Sequence, residues 1–121
     1  NAEIYGVEDR IEFILGDALE ILPVLMGVDL VFLSPPWGGP AYSKAEEFDL
    51  STMLTPPLDG VEIFDVARKC AANVLFFLPR NVNLMQIGLM AKNAGMLCEV
   101  ESHFLSGNKL KTKAAYFSRD L

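Results

Sequence analysis

Apolar and polar positions along this chain fall into short blocks whose spacing switches between the two periods of regular structure. Val28-Asp29-Leu30-Val31-Phe32-Leu33 is rich in Val, Leu and Phe and is followed by Ser34 and two prolines. An apolar run of strand length, stopped by residues that cannot donate to a sheet ladder, predicts a buried parallel strand. Asn73-Val74-Leu75-Phe76-Phe77-Leu78 repeats the pattern and stops at Pro79. Arg10-Ile11-Glu12-Phe13-Ile14-Leu15 is a third, shorter strand candidate. Helical spacing governs Leu58 to Cys70, with Val61, Phe64, Val66 and Ala67 on one face. It returns from Val82 to Lys92 with Leu84, Ile87, Met90 and Ala91, before Asn93-Ala94-Gly95 ends the pattern. Asn1 to Tyr5 resembles a last helical turn stopped by Gly6, and Asp17 can cap the helix Ala18-Leu19-Glu20-Ile21-Leu22. Leu97 to Leu105 and Leu110 to Phe117 alternate as two strands joined by Ser106-Gly107-Asn108. Alternating strands and helices, closed by an antiparallel pair, predict one α/β domain over residues 1–121.

The chemistry gathers just after the first apolar run, in Ser34-Pro35-Pro36-Trp37-Gly38-Gly39-Pro40. In open α/β sheets ligands bind at the carboxyl ends of the strands, which is where this loop falls. Pro35 and Pro36 fix φ and have no N–H, so the carbonyls of Ser34 and Pro35 are held in place and can accept from a ligand. Trp37, the chain's one tryptophan, leaves that corner as a flat π surface. An exocyclic amine on a nucleobase is a poor nucleophile because its lone pair is delocalised into the ring. Acceptors that hold both amine hydrogens orient that lone pair toward an electrophile, a gain made by positioning and fixed dipoles. A ring stacked on the base adds about 1–3 kcal/mol. For a Pro-Pro pair alone, a proline stop beside an ordinary core tryptophan is the better reading; Ser-Pro-Pro-aromatic at a strand end favours the functional one.

Arg80 follows Pro79 at the same predicted edge, and a guanidinium there suits phosphate; a surface arginine is the plain alternative. Lys109, Lys111 and Lys113 fall on one face at period two, and edge lysines that block aggregation account for at least one of them. His103 stands alone on its strand and receives no catalytic role. Cys70 and Cys98 match no metal spacing and read as free thiols of a reducing compartment, the cytosol or nucleus. No nucleophile–base pair, metal cluster or phosphate-cradling loop is present, and no run is apolar for the 18 or so residues a membrane span needs. The net charge of −6 argues against tight binding of a long RNA backbone, though a compact cationic cap with a few phosphates needs only a few local cations.

VDLVFLSPPWGGPAYSKAEEFDL, followed by FFLPRN and NKLKTKAAYF, closely resembles the trimethylguanosine synthases, and the match runs from Asn1 to about Phe117. The resemblance implies a Rossmann-like class I methyltransferase sheet with helices on both faces and an antiparallel C-terminal hairpin. It implies transfer of a methyl group from S-adenosyl-L-methionine to N2 of the 7-methylguanosine cap of small nuclear and nucleolar RNA, giving 2,2,7-trimethylguanosine. Trp37 would stack on the base, and Ser34 and Pro35 would orient the amine as the catalytic pair. Tyr42, Arg80 and Lys111 would take the cap phosphates. Asp17, alongside its capping role, would hold the adenine end of the cofactor with Ser34 nearby.

In the family the catalytic domain begins further upstream, with two strands and a glycine-rich cofactor loop that this chain lacks; with no initiating methionine, the sequence reads as an excised piece. Those two strands would lie between 11–15 and 28–33, and their removal leaves a gap of roughly 14 Å. Either 11–15 slides in beside the central strand, or a second chain or upstream segment completes the sheet, or the piece does not fold alone. Weak or no methyl transfer by these residues unaided is expected. Two other functions fit the same motifs: another nucleobase amino-methyltransferase, and a non-catalytic cap-binding piece.

Overall fold

The structure is a computed structural model that describes residues 1–52 and 54–119. Four strands form one sheet in the order β1-β2-β4-β3, with β1 at Leu30–Leu33, β2 at Asn73–Pro79, β3 at Leu97–Leu105 and β4 at Lys109–Ser118. β1 runs parallel to β2, and β4 pairs antiparallel with both β2 and β3. Helix α1 is the single turn Ala18–Ile21, capped by Asp17, whose carboxylate accepts from Leu19 N–H at 2.9 Å. α2 (Gly60–Cys70) starts where the Asp59 carboxylate accepts from Val61 and Glu62, and α3 (Leu84–Ala94) starts on Asn83. α3 stops at Gly95 in the left-handed region, φ 65°. These elements fall where the periodicity predicts them.

Alternation sorts the two faces of the sheet. Val31, Leu33, Val74, Phe76, Leu78, Ala115 and Phe117 point inward and meet Ile63, Phe64 and Ala67 of α2 and Ile87, Met90 and Ala91 of α3 in one core. Phe64 and Phe117 lie 4.4 Å apart between ring centroids at the centre of this layer. Truncating such a buried aromatic costs about 3–5 kcal/mol.

The opposite face differs from expectation. Helices are expected on both faces, but among the described residues α2 and α3 cover one face, and α1 packs beside α2. Leu30 and Phe32 of β1 are therefore 46% and 57% exposed, so β1 is a half-buried strand with one hydrogen-bonded neighbour. The strand expected at 11–15 does not form. Ile11 is extended, but the segment joins no ladder, and Phe13 and Leu15 are 84% and 104% exposed. An extended segment becomes a strand only through a partner's backbone groups, and 11–15 pairs with none among the described residues. Of the ways to close the gap, sliding of 11–15 beside β1 is thus not the one adopted.

Candidate functional site

The loop after β1 is built as a rigid corner. Ser34 is exposed and Pro35 half-buried; the Pro36 carbonyl accepts from Thr55 N–H at 3.3 Å, whereas that of Pro35 accepts no hydrogen bond among the described residues. Gly38 and Gly39 both take φ near 83°, a region closed to most side chains, and turn the backbone into a short 3-10 turn at Pro40–Lys44. That reversal brings Tyr42 back onto Trp37, edge to face at 5.1 Å and 73°. Trp37 also lies over Phe77 of β2, 5.5 Å away and 27° from parallel. The indole is half-buried, and its Nε1–H is buried without an acceptor, so aromatic contacts rather than a hydrogen bond hold the ring.

Residues just past β2 hold the loop from the other side. Arg80 donates through one terminal nitrogen to the Ser43 carbonyl at 3.0 Å, which leaves the rest of its five-donor fork for another acceptor. Asn81 donates its side-chain amide to the carbonyls of Tyr42 (2.8 Å) and Ala45 (3.0 Å). The Asn81 carbonyl accepts from Phe48 N–H at 2.7 Å, and Asn83 N–H donates back to the Phe48 carbonyl at 3.1 Å. Fully buried Phe48 and Leu50 then anchor the far end in the core.

Trp37, Tyr42 and Arg80 are thereby brought to one end of the sheet, beside Ser34. Lys111 belongs to the same end, because Thr112 pairs with Pro79 across β2–β4. Asp17 does not join this group by any contact among the described residues. Its carboxylate caps α1, and the segment before it has not entered the sheet. The reading of Asp17 as a cap is therefore realised.

Phe77 and Asn81 receive no role from the sequence reading. Phe77 alternates outward from a run that looks uniformly buried; only its place two residues before Pro79 puts it level with the loop. The lysines also differ from expectation. Lys113 lies inside the sheet, paired with both Leu78 and Ser102, whereas Lys109 has β3 as its one partner and keeps the edge reading, and a register shift between His103 and Phe104 breaks the period of two at Lys111. His103 gains partners that the sequence does not show: Nδ1 lies 2.8 Å from the Thr112 hydroxyl and Nε2 2.8 Å from Glu101, with its ring 6.3 Å from that of Phe77. A cavity of about 420 Å³ opens on this outer face, lined by Phe32, Phe77, His103 and Tyr116 among others.

Known proteins match most of this chain. The chain is 37% identical to the trimethylguanosine synthase of Schizosaccharomyces pombe over 92 residues, 72% of this chain and 38% of that protein. It is 37% identical to the trimethylguanosine synthase of Saccharomyces cerevisiae over 91 residues, 72% of this chain and 29% of that protein. It thus spans less than two-fifths of the length of these relatives. The sequence profile of RNA cap guanine-N2 methyltransferases matches residues 1–119, and the chain belongs to that family.

Proposed function

We propose that this chain forms the cap-binding half of a methyltransferase that transfers a methyl group to N2 of the 7-methylguanosine cap of small nuclear and nucleolar RNA. The observation that carries the reading is the single cluster of Trp37, Tyr42 and Arg80, fixed at the carboxyl edge by Phe77 and Asn81. A 7-methylated guanine is cationic and stacks better on an indole than neutral guanine, by a cation–π contribution of about 0.5–2 kcal/mol. Ser34 and the Pro35 carbonyl, exposed and half-buried respectively, hold the two amine hydrogens and so aim the nitrogen lone pair. Arg80 and Lys111 take the phosphates with Tyr42 beside them.

Family membership implies a methyl donor, and we assign S-adenosyl-L-methionine to that role. Asp17, which caps α1 through one carboxylate oxygen, would hold the adenine end of the donor with its other, and Ser34 would lie nearby. Free Cys70 and Cys98 suit a reducing compartment, the nucleus or cytoplasm. Binding of 7-methylguanosine mono-, di- and triphosphate tests the assignment. Affinity should rise with each phosphate in the wild type and stay flat in Arg80→Ala with Lys111→Ala; affinity for neutral guanosine nucleotides equal to that for the methylated ones would refute it.

A further inference from the structure

The Trp37 indole makes no hydrogen bond, so whatever fixes Phe77 beneath it also fixes the indole. Phe77 stands on the open face of β2, which among the described residues no helix covers. Its second ring contact is His103 of β3, 6.3 Å away and 22° from parallel. In the strand order β1-β2-β4-β3 the loop carrying Trp37 and the strand carrying His103 lie on opposite sides of β2, so Phe77 is held between the two rings. β2 and β3 are two strand steps apart, roughly 10 Å. The rings close that distance because the residue opposite Phe77 on β4 is Ala114, whose methyl group leaves room above it.

The imidazole is fixed at both of its nitrogens. Nε2 lies 2.8 Å from the Glu101 carboxylate, which only accepts, so Nε2 carries a proton and donates it. Nδ1 of the neutral ring then accepts from the Thr112 hydroxyl at 2.8 Å. Thr112 shares its rung with His103 and Pro79, whereas Glu101 lies on the rung of Ala114 and Phe77. The two anchors thus come from different strands and different rungs, and they set the imidazole plane close to that of Phe77. Ring pairs at this spacing stabilise each other beyond the area they bury.

We propose that His103 is a positioning residue for the cap: acting through Phe77, it holds the Trp37 indole in the orientation that receives the methylated guanine. This rests on the reading of Trp37 as the surface on which the base stacks. His103 touches neither base nor phosphate; it limits the tilt of Phe77, and Phe77 limits that of Trp37. A tie between β3 and β4 is the other use of the same hydrogen bonds. The two uses need different parts of the side chain: the tie needs the nitrogens, the support needs the ring.

The test replaces each part separately and follows Trp37, the chain's one tryptophan, by acrylamide quenching without ligand and by 7-methyl-GTP affinity. His103→Gln keeps groups that can bond Thr112 and Glu101 but removes the ring, whereas His103→Phe keeps a ring and removes the bonds. The His103 side chain is 36% exposed, and circular dichroism confirms that each variant keeps the sheet. His103→Gln and His103→Ala should open Trp37 to acrylamide and weaken 7-methyl-GTP binding by about 3- to 10-fold, the worth of one aromatic pair. His103→Phe should stay near wild type. Rescue by Gln with loss in Phe would make His103 a strand tie and overturn the proposal; so would wild-type behaviour in all three variants, or equal loss in all three. Phe77→Leu gives a second route: adding His103→Ala to it should cost nothing further, and a further loss as large as that of His103→Ala alone overturns the proposal. Failure of wild type to bind 7-methyl-GTP would overturn the cap reading instead. Acrylamide then decides the ring support: Trp37 opened in His103→Gln but not in His103→Phe supports it, and equal quenching in wild type and His103→Gln overturns it.

Discussion

Trp37 owes its orientation to two rings and to no hydrogen bond, which makes it a replaceable surface rather than a structural pin. Trp37→Ala should weaken 7-methyl-GTP binding by roughly 10- to 100-fold through lost stacking, measured by calorimetry, while the fold survives. Trp37→Phe should recover part of that loss. The sequence shows where the tryptophan stands but not what lies beneath it, because Phe77 is separated from it by 40 positions and meets it only once β1 and β2 pair. Cys98 is a second residue whose chemistry depends on its surroundings. Burial, with Glu99 beside it, raises its thiol pKa to about 11. The thiol stays protonated at neutral pH, and Cys98 should react with iodoacetamide only slowly until the pH passes 10 or the protein is unfolded.

At the scale of elements, the long segment between β1 and α2 behaves as part of the scaffold. Asn81 joins Tyr42 and Ala45 through one amide, and its removal leaves two backbone carbonyls without their donor. Asn81→Ala should cost about 1–3 kcal/mol of stability, seen as a lower thermal midpoint, and should weaken cap binding by loosening Tyr42. Asp49 ties the same segment to α3. The Ser51 hydroxyl and then the Gln86 amide hold its carboxyl below the ordinary carboxylate range. A folded-state pKa below the unfolded value of about 3.9 gives stability that is complete above that value and is lost as pH falls through the folded one. The gap in thermal midpoint between wild type and Asp49→Asn should therefore be constant near neutral pH and shrink below about pH 4. Helices α2 and α3, the four strands and the hairpin turn are legible from period and caps alone. The clamp is not, because its bonds join an irregular loop to a strand end, where no periodicity operates.

Among the described residues the molecule is a sheet covered on one face and open on the other and along β1. Its topology is readable because β1, β2 and the hairpin each carry their own stop signals. Residues 11–15 mislead because a strand pattern states which side chains could face a core, while the strand itself depends on a neighbour's backbone. Phe32 sits on the open face, and Phe32→Lys should reduce self-association in sedimentation without lowering the thermal midpoint. The cap residues are clustered by contacts, whereas Asp17 makes none with them among the described residues, so S-adenosylhomocysteine should bind this chain more weakly by calorimetry than the cap nucleotide does. That separation makes the cap site the claim to test, and Trp37 is its own reporter. Titration with 7-methyl-GTP should quench its fluorescence to saturation, with GTP producing much weaker quenching at the same concentrations. Equal quenching by both nucleotides, or none by either in a sample whose circular dichroism shows the folded sheet, would contradict the assignment of this edge to the cap.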